Sequence, residues 1–240
     1  MTPGVFDDDI HRIAAFIQQV QNFEHLIIDL RGNPGGDQRY FLNHIVRPLI
    51  NYPKTADIFY FTPHGEYARR FTGEPEGFIT ANNGGRRSLA TDFLVDRSIR
   101  GTSDILDENY MPEIQIEDFE RLPYGFQGRI QVSPQSDSGF DGSIWLLTDG
   151  HMFSGAQLAA WFSKETGFAT LVGEITGGHY GGALVGVSLP NTGIPFVFDM
   201  FYATDSRGRP LEAGTIPHHF NFPNMDALET VLVLISELIP

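Results

Sequence analysis

The sequence predicts an α/β fold, a mainly parallel sheet covered by helices, and three observations carry that expectation. Short apolar runs at His25–Leu30, Ser143–Leu147 and Ala169–Gly173 lack the alternation of a half-exposed strand and read as buried parallel strands. Segments of helical spacing lie beside and between them. Glycine-marked loops follow the runs, at Arg31–Asp37, Asp149–Gly155 and Glu174–Gly182. In a parallel sheet such loops gather along one edge, where ligands bind.

In chain order, residues 7–20 place Ile10, Ile13, Ala14, Ile17 and Val20 at helical spacing, with Asp7, Asp8 and Asp9 suited to the first turn. The strand at His25–Leu30 follows and stops at Arg31-Gly32-Asn33-Pro34-Gly35-Gly36-Asp37, a dense turn signal. A second helical pattern runs through Tyr40, Ile45 and Leu49, and Ile58–Phe61 reads as a strand. Residues 62–140 lose this regularity and are too long for an ordinary loop. They read as an insertion or lid within a single 1–240 core, with a helix expected at 116–122. Order returns with the strand Ser143–Leu147, a helix over 154–164 and the strand Ala169–Gly173. Leu184–Leu189 and Pro195–Tyr202 read as two further strands, and 226–238 as a closing helix with one apolar face.

Composition narrows the function. The chain has 240 residues, 41% of them hydrophobic and 19% charged, as in a soluble globular protein. No window reaches the roughly 18 apolar residues of a membrane span. The formal net charge of −14 argues against a nucleic-acid partner, which needs clustered Lys and Arg. With no cysteine, disulfides, thiolate catalysis and cysteine metal sites are excluded. No basic, apolar leader opens the sequence. The chain is therefore expected to be cytoplasmic, a mature form or an excised fragment.

The segment Trp145–Gln157 is the most informative. An apolar run ends in a polar turn, and Ser154 opens a helix, which sets a hydroxyl beside backbone N–H groups that the helix leaves unpaired. Hydrolases need that pairing of nucleophile and oxyanion donors. On local grounds the helix N-cap is the more ordinary use of such a serine. The Arg31–Asp37 loop lacks both the G-x-G-x-x-G and G-K-[ST] patterns, so it is a poor nucleotide cradle. Its Gly35-Gly36 pair suits close backbone approach to a substrate carbonyl.

Together these segments resemble one family. Ile28–Gly36 is similar to the D-L-R-x-N-x-G-G signature of the tail-specific, or C-terminal-processing, serine peptidases (peptidase family S41). Asp149–Gln157 resembles their nucleophile segment, Val172–Gly178 their V-G-x-x-T-x-G stretch, and Arg209–Pro217 their late E-G-x-G-I-x-P-D segment. The resemblance implies a core like that of ClpP and crotonase, and a serine peptidase acting on peptides or proteins without a cofactor. It also implies an extracytoplasmic, periplasmic or secreted, setting. Members usually carry an N-terminal helical region, often a PDZ domain, ahead of the first helix seen here, so a catalytic-core fragment or an unusually short member without that region is expected.

By resemblance, Ser154 is the nucleophile. The N–H of Gly155 and one N–H of Gly35-Gly36 form the oxyanion hole. The family's general base is a lysine, with a glutamine four residues beyond it; here those positions hold His179 and Ala183. Histidine is a competent base near neutral pH, so His179 is the candidate. Glu212, where tricorn-type relatives place a catalytic glutamate, is the candidate orienting carboxylate, with Glu174 as the alternative. His151 could line the site or stabilise its loop. The neighbouring His218 and His219 would point to opposite faces of an extended segment, so no metal site is expected. Asp29 and Arg31 are expected to pair and shape their loop. The competing reading is a non-catalytic binding module, as in interphotoreceptor retinoid-binding proteins of the same fold, with which loss of the lysine and glutamine is compatible. An acyl-CoA enzyme of the crotonase type is a third.

Overall fold

In chain order the secondary structure begins with helix α1 (Gly4–Val20) and strand β1 (His25–Asp29). A continuous helical stretch follows: α2 (Gln38–Phe41), a wider π turn (Leu42–Val46) and α3 (Arg47–Leu49). Then come β2 (Lys54–Thr62), β3 (Thr91–Gly101), α4 (Thr102–Glu108), β4 (Tyr124–Val132) and β5 (Ser143–Thr148). Helix α5 (Gly155–Glu165) leads to β6 (Thr170–Gly173), β7 (Leu184–Ser188), β8 (Pro195–Asp199) and β9 (Tyr202–Thr204). A 3₁₀ turn (Leu211–Ala213), β10 (His219–Phe220) and α6 (Ala227–Leu238) close the chain. The computed structural model describes residues 4–63, 91–114, 121–136, 139–180, 184–199 and 201–238.

Two compact units are present, one of residues 1–56, 131–179 and 214–240, the other of 57–130 and 180–213. The first is built on a four-stranded parallel sheet of order β1-β5-β6-β10, the α/β arrangement expected. Its register sets His25 against Ser143 and Trp145 against Thr170. Side chains alternate across a strand, so Trp145 and Leu147 face one way and Leu146 the other. Trp145, Leu147 and Val172 pack against Ala227 and Val231 of α6. Leu146, Leu158, Phe162 and Leu171 are fully buried, each contributing roughly 1.5–3 kcal/mol relative to exposure.

Helix α5 carries the serine segment, and its far end is firmly terminated. Gly167 adopts φ +61, and its N–H donates to Lys164 O at 3.2 Å while Phe168 N–H reaches Ser163 O at 2.8 Å, a glycine C-cap. The buried Lys54 ammonium donates to Thr166 O at 3.0 Å, placing a cation on the negative end of the helix dipole. Helix α6 starts with a reciprocal capping box: Glu229 N–H donates to Asp226 Oδ1 at 2.8 Å and Asp226 N–H to Glu229 Oε2 at 2.9 Å.

The second unit holds a sheet of order β3-β4-β2-β9, in which β2 and β9 run antiparallel with Tyr60 opposite Ala203. Phe59, Phe61, Ile105 and Met111 form its core, and Tyr60 stacks on Phe126 at 4.9 Å. Much of the 62–140 stretch thus contributes strands β3 and β4; the helix expected at 116–122 falls mainly outside the described residues. The single strand expected over Pro195–Tyr202 is two. Strand β8 pairs with β7, and β9 with β2. The Asp199 carboxylate accepts the Phe201 N–H at 3.1 Å.

Candidate active site

Three loops meet at the carboxyl ends of β1, β5 and β6, tied together largely through main-chain atoms. The Asp149 carboxylate, just past β5, accepts the Gly32 N–H with both oxygens at 3.1 and 3.0 Å, and the His151 N–H at 3.0 Å. Phe153 N–H donates to Asn33 O at 3.2 Å. On the other side, Gly177 N–H donates to Met152 O at 2.8 Å and Ser154 N–H to Gly178 O at 3.3 Å. Thr148 Oγ1 donates to Glu174 O at 2.8 Å, closing the same junction from below.

Ser154 sits at the elbow with φ 53 and ψ −116, a backbone conformation that L-residues other than glycine rarely adopt. The ordinary N-cap use of this serine is therefore not what the structure shows. A capping serine has extended φ and ψ and its hydroxyl accepts an N–H from the first turn. Here no side-chain cap bond forms, and Ser154 Oγ has no hydrogen-bond partner among the described residues. The helix instead begins with Ala156 N–H on Phe153 O at 3.1 Å and Leu158 N–H on Ser154 O at 3.0 Å.

The glycine loop presses directly on this elbow. A Cβ on Gly35, whose φ is +99, would meet Phe153 O at 2.4 Å and Gly155 N at 2.8 Å. A Cβ on Gly155 would meet Gly36 O at 2.4 Å and Gly36 N at 3.1 Å. Glycine is therefore required at both positions. The Gly35 N–H is already committed to Asn33 Oδ1 at 2.9 Å. The N–H groups of Gly36 and Gly155 have no partner among the described residues.

His179 also belongs to this junction. Its φ is 55, and its ring lies flat on Phe153, 4.8 Å between centroids with planes 9° apart. Stacking uses the ring face and leaves the two nitrogens, which lie in the ring plane, without a partner among the described residues. No hydrogen bond joins His179 to Ser154. Glu212, exposed on the 3₁₀ turn, belongs to the second unit. Glu174 is exposed at the end of β6 and makes no ion pair among the described residues. His151 is open to solvent, with Nδ1 3.6 Å from Asp149 Oδ2.

Asp29 and Arg31 form the expected pair. Arg31 Nη2 lies 2.8 Å from Asp29 Oδ2, and Nη1 reaches Asp226 Oδ2 at 3.0 Å. The guanidinium hydrogen bonds hold the Asp29 carboxyl below the usual carboxylate range, and the cap bond from Glu229 N–H, then Arg31, does the same for Asp226. His218 turns out to be part of the sheet margin: Leu171 N–H donates to its Nδ1 at 2.9 Å, while His218 N–H donates to Leu171 O at 3.0 Å. Among the described residues, no group of three or more His, Asp or Glu side chains is placed to hold a metal.

Sequence reasoning passed over one polar group. Gln157, fully buried on α5, is bonded to Thr176 and Thr215, both also buried. The available signal was a lone amide in the otherwise apolar run Ala156–Phe162.

The chain resembles the structure of mature CPAF, with 19% identity and a TM-score of 0.56 over 96% of this chain and 45% of that one. It also resembles a candidate peptidase from Parabacteroides merdae ATCC 43184, with 15% identity and a TM-score of 0.58 over 96% of this chain and 57% of that one. At such identities the likeness is one of fold, and the chain spans about half the length of these proteins. No curated protein sequence gives a match. The model of peptidase family S41 matches residues 5–219, nearly the whole sequence, and the chain therefore belongs to that family.

Proposed function

We propose that this chain carries the catalytic centre of a serine peptidase that hydrolyses peptide or protein substrates through an acyl-enzyme on Ser154. The observation that carries the reading is the elbow itself: a serine held at φ 53 with an uncommitted hydroxyl, beside the unbonded N–H groups of Gly155 and Gly36. Family membership supports the substrate class.

In this reading Ser154 Oγ attacks the scissile carbonyl carbon while its proton passes to a ring nitrogen of His179. The oxyanion is held by the Gly155 and Gly36 N–H groups, the Gly35 N–H being spent on Asn33. Collapse breaks the C–N bond, and the imidazolium returns the proton to the leaving amine. Water then repeats the sequence on the ester. His179 reaches Ser154 by turning an in-plane nitrogen toward it, since no bond joins the two in the resting arrangement. Glu212 is the candidate orienting carboxylate and Glu174 the alternative.

The second reading, a binding module for a peptide or lipophilic ligand, is favoured by His179 and Ala183 standing where processing peptidases have lysine and glutamine. A fluorophosphonate probe separates the two. Labelling of the folded protein that disappears in Ser154→Ala supports the peptidase; no labelling at Ser154 leaves the binding module.

A further inference from the structure

We infer that Gln157, Thr176 and Thr215 form a positioning circuit that holds Ser154 in its elbow conformation; its catalytic consequence rests on the reading of Ser154 as nucleophile. Gln157 lies one turn beyond Ser154 on α5, and the three residues are 0%, 4% and 5% exposed. Gln157 Nε2 donates to Thr215 Oγ1 at 3.1 Å, Thr176 Oγ1 donates to Gln157 Oε1, and Thr215 N–H donates to Thr176 Oγ1 at 2.7 Å. Thr176 N–H closes the ring on Thr215 O at 3.2 Å.

Every direction in this ring is fixed. The Gln157 amide has a distinct donor and acceptor end, and the Thr176 hydroxyl, which accepts a main-chain N–H, must donate onward. None of the three groups titrates near neutral pH. Apolar side chains could fill the same space without the cost of burying polar groups, but they would not set a register between helix and loop.

The register set here is the one Ser154 depends on. Thr176 immediately precedes Gly177 and Gly178, whose main-chain atoms bond Met152 O and Ser154 N–H. The loop cannot rise from the serine segment without breaking those bonds, and it cannot press closer, since even a Cβ on Gly177 would lie 2.6 Å from Gly150 O. The circuit fastens the helix after Ser154 to the loop that grips its amide, so the serine is held on both sides.

Backbone amide hydrogen exchange tests this directly. Thr215→Val removes the acceptor of Gln157 Nε2 at nearly constant volume, and Thr215→Ser keeps it. The expected result is exchange about tenfold faster at the Ser154 and Gly177 amides in Thr215→Val, with β5 and β6 at wild-type rates and Thr215→Ser unchanged throughout. Fluorophosphonate labelling should slow about tenfold at saturating probe, with the half-saturating concentration unchanged, and recover in Thr215→Ser. Wild-type exchange at both amides in a folded Thr215→Val protein overturns the circuit, as does acceleration spread evenly over the sheet. Should Thr215→Val not fold, Gln157→Met carries the same expectation from the helix side. Failure of the wild-type protein to label would sink the nucleophile reading alone, because the exchange result still decides the circuit.

Discussion

A methyl group on Gly35 would lie 2.9 Å from the Cβ of Ser154, closer than real Cβ atoms approach one another. The glycine loop and the serine elbow are thus fitted backbone to backbone, and Gly35 also holds φ +99. Gly35→Ala is expected to destabilise the chain by about 1–3 kcal/mol and to cut fluorophosphonate labelling about 100-fold through misplacement of the elbow. Thermal unfolding and labelling rates measured on the same preparation check both; wild-type labelling in that variant would refute the close fit.

Ser154 itself stores strain. Replacing it with glycine removes the Cβ that makes φ 53 unfavourable, so Ser154→Gly should gain roughly 1 kcal/mol, about 2–4 °C in Tm, while abolishing labelling. Ser154→Ala keeps the Cβ and should show no such gain. Equal melting temperatures for the two variants would remove strain as the explanation.

His179 serves as ring and as candidate base, and the two uses separate by substitution. His179→Phe keeps a ring on Phe153 and loses the nitrogens, whereas His179→Asn tolerates positive φ and loses the stack. Both are expected to lower peptide hydrolysis by about 10²–10⁴. Tm should fall by less than about 4 °C in the Phe variant and further in the Asn variant. Hydrolysis at the wild-type rate in either variant would remove His179 as the base.

His218 should impose an acid limit on stability. Burial, then Lys164 and His219, lower its pKa from the ordinary 6.5, and the neutral ring accepts the Leu171 N–H. The native state therefore binds this proton less readily than the unfolded chain. The stabilisation is complete above pH 6.5 and is lost as pH falls below it toward the depressed folded value. His44, lowered by burial and then Arg47, has the same sign. In His218→Asn, whose amide oxygen can accept from Leu171 at every pH, Tm should fall less between pH 7.5 and 5.5 than in the wild type. An identical pH dependence would exclude His218 as a contributor.

The parallel sheet was legible because its strands are apolar on both faces and end in glycine turns; β1, β5 and β6 fall within a residue or two of their expected bounds. Strand β4 was not legible, since Gly125 and Gly128 depress strand propensity locally. Tertiary packing requires the first of them: a Cβ on Gly125 would meet Tyr60 O at 2.7 Å. At the site, the family resemblance pointed to Ser154, His179 and the glycine pair as candidates. It could not tell which of Gly35 and Gly36 keeps an uncommitted N–H, because that depends on the Asn33 side chain folding back. Nor could spacing show His179 lying on Phe153, a contact decided by two positive-φ turns.

The Asp149 bridge to Gly32 and the bonds from Phe153, Ser154 and Gly177 carry a wider consequence. Seven of the eight groups that give or receive these bonds are peptide atoms, which substitution leaves in place; the Asp149 carboxylate is the exception. On the proposed reading of Ser154 as nucleophile, the oxyanion cradle is inherited with the course of the chain, while proton handling rests on exchangeable side chains. On that same reading, such a scaffold can exchange one general base for another without rebuilding the main-chain cleft around Ser154.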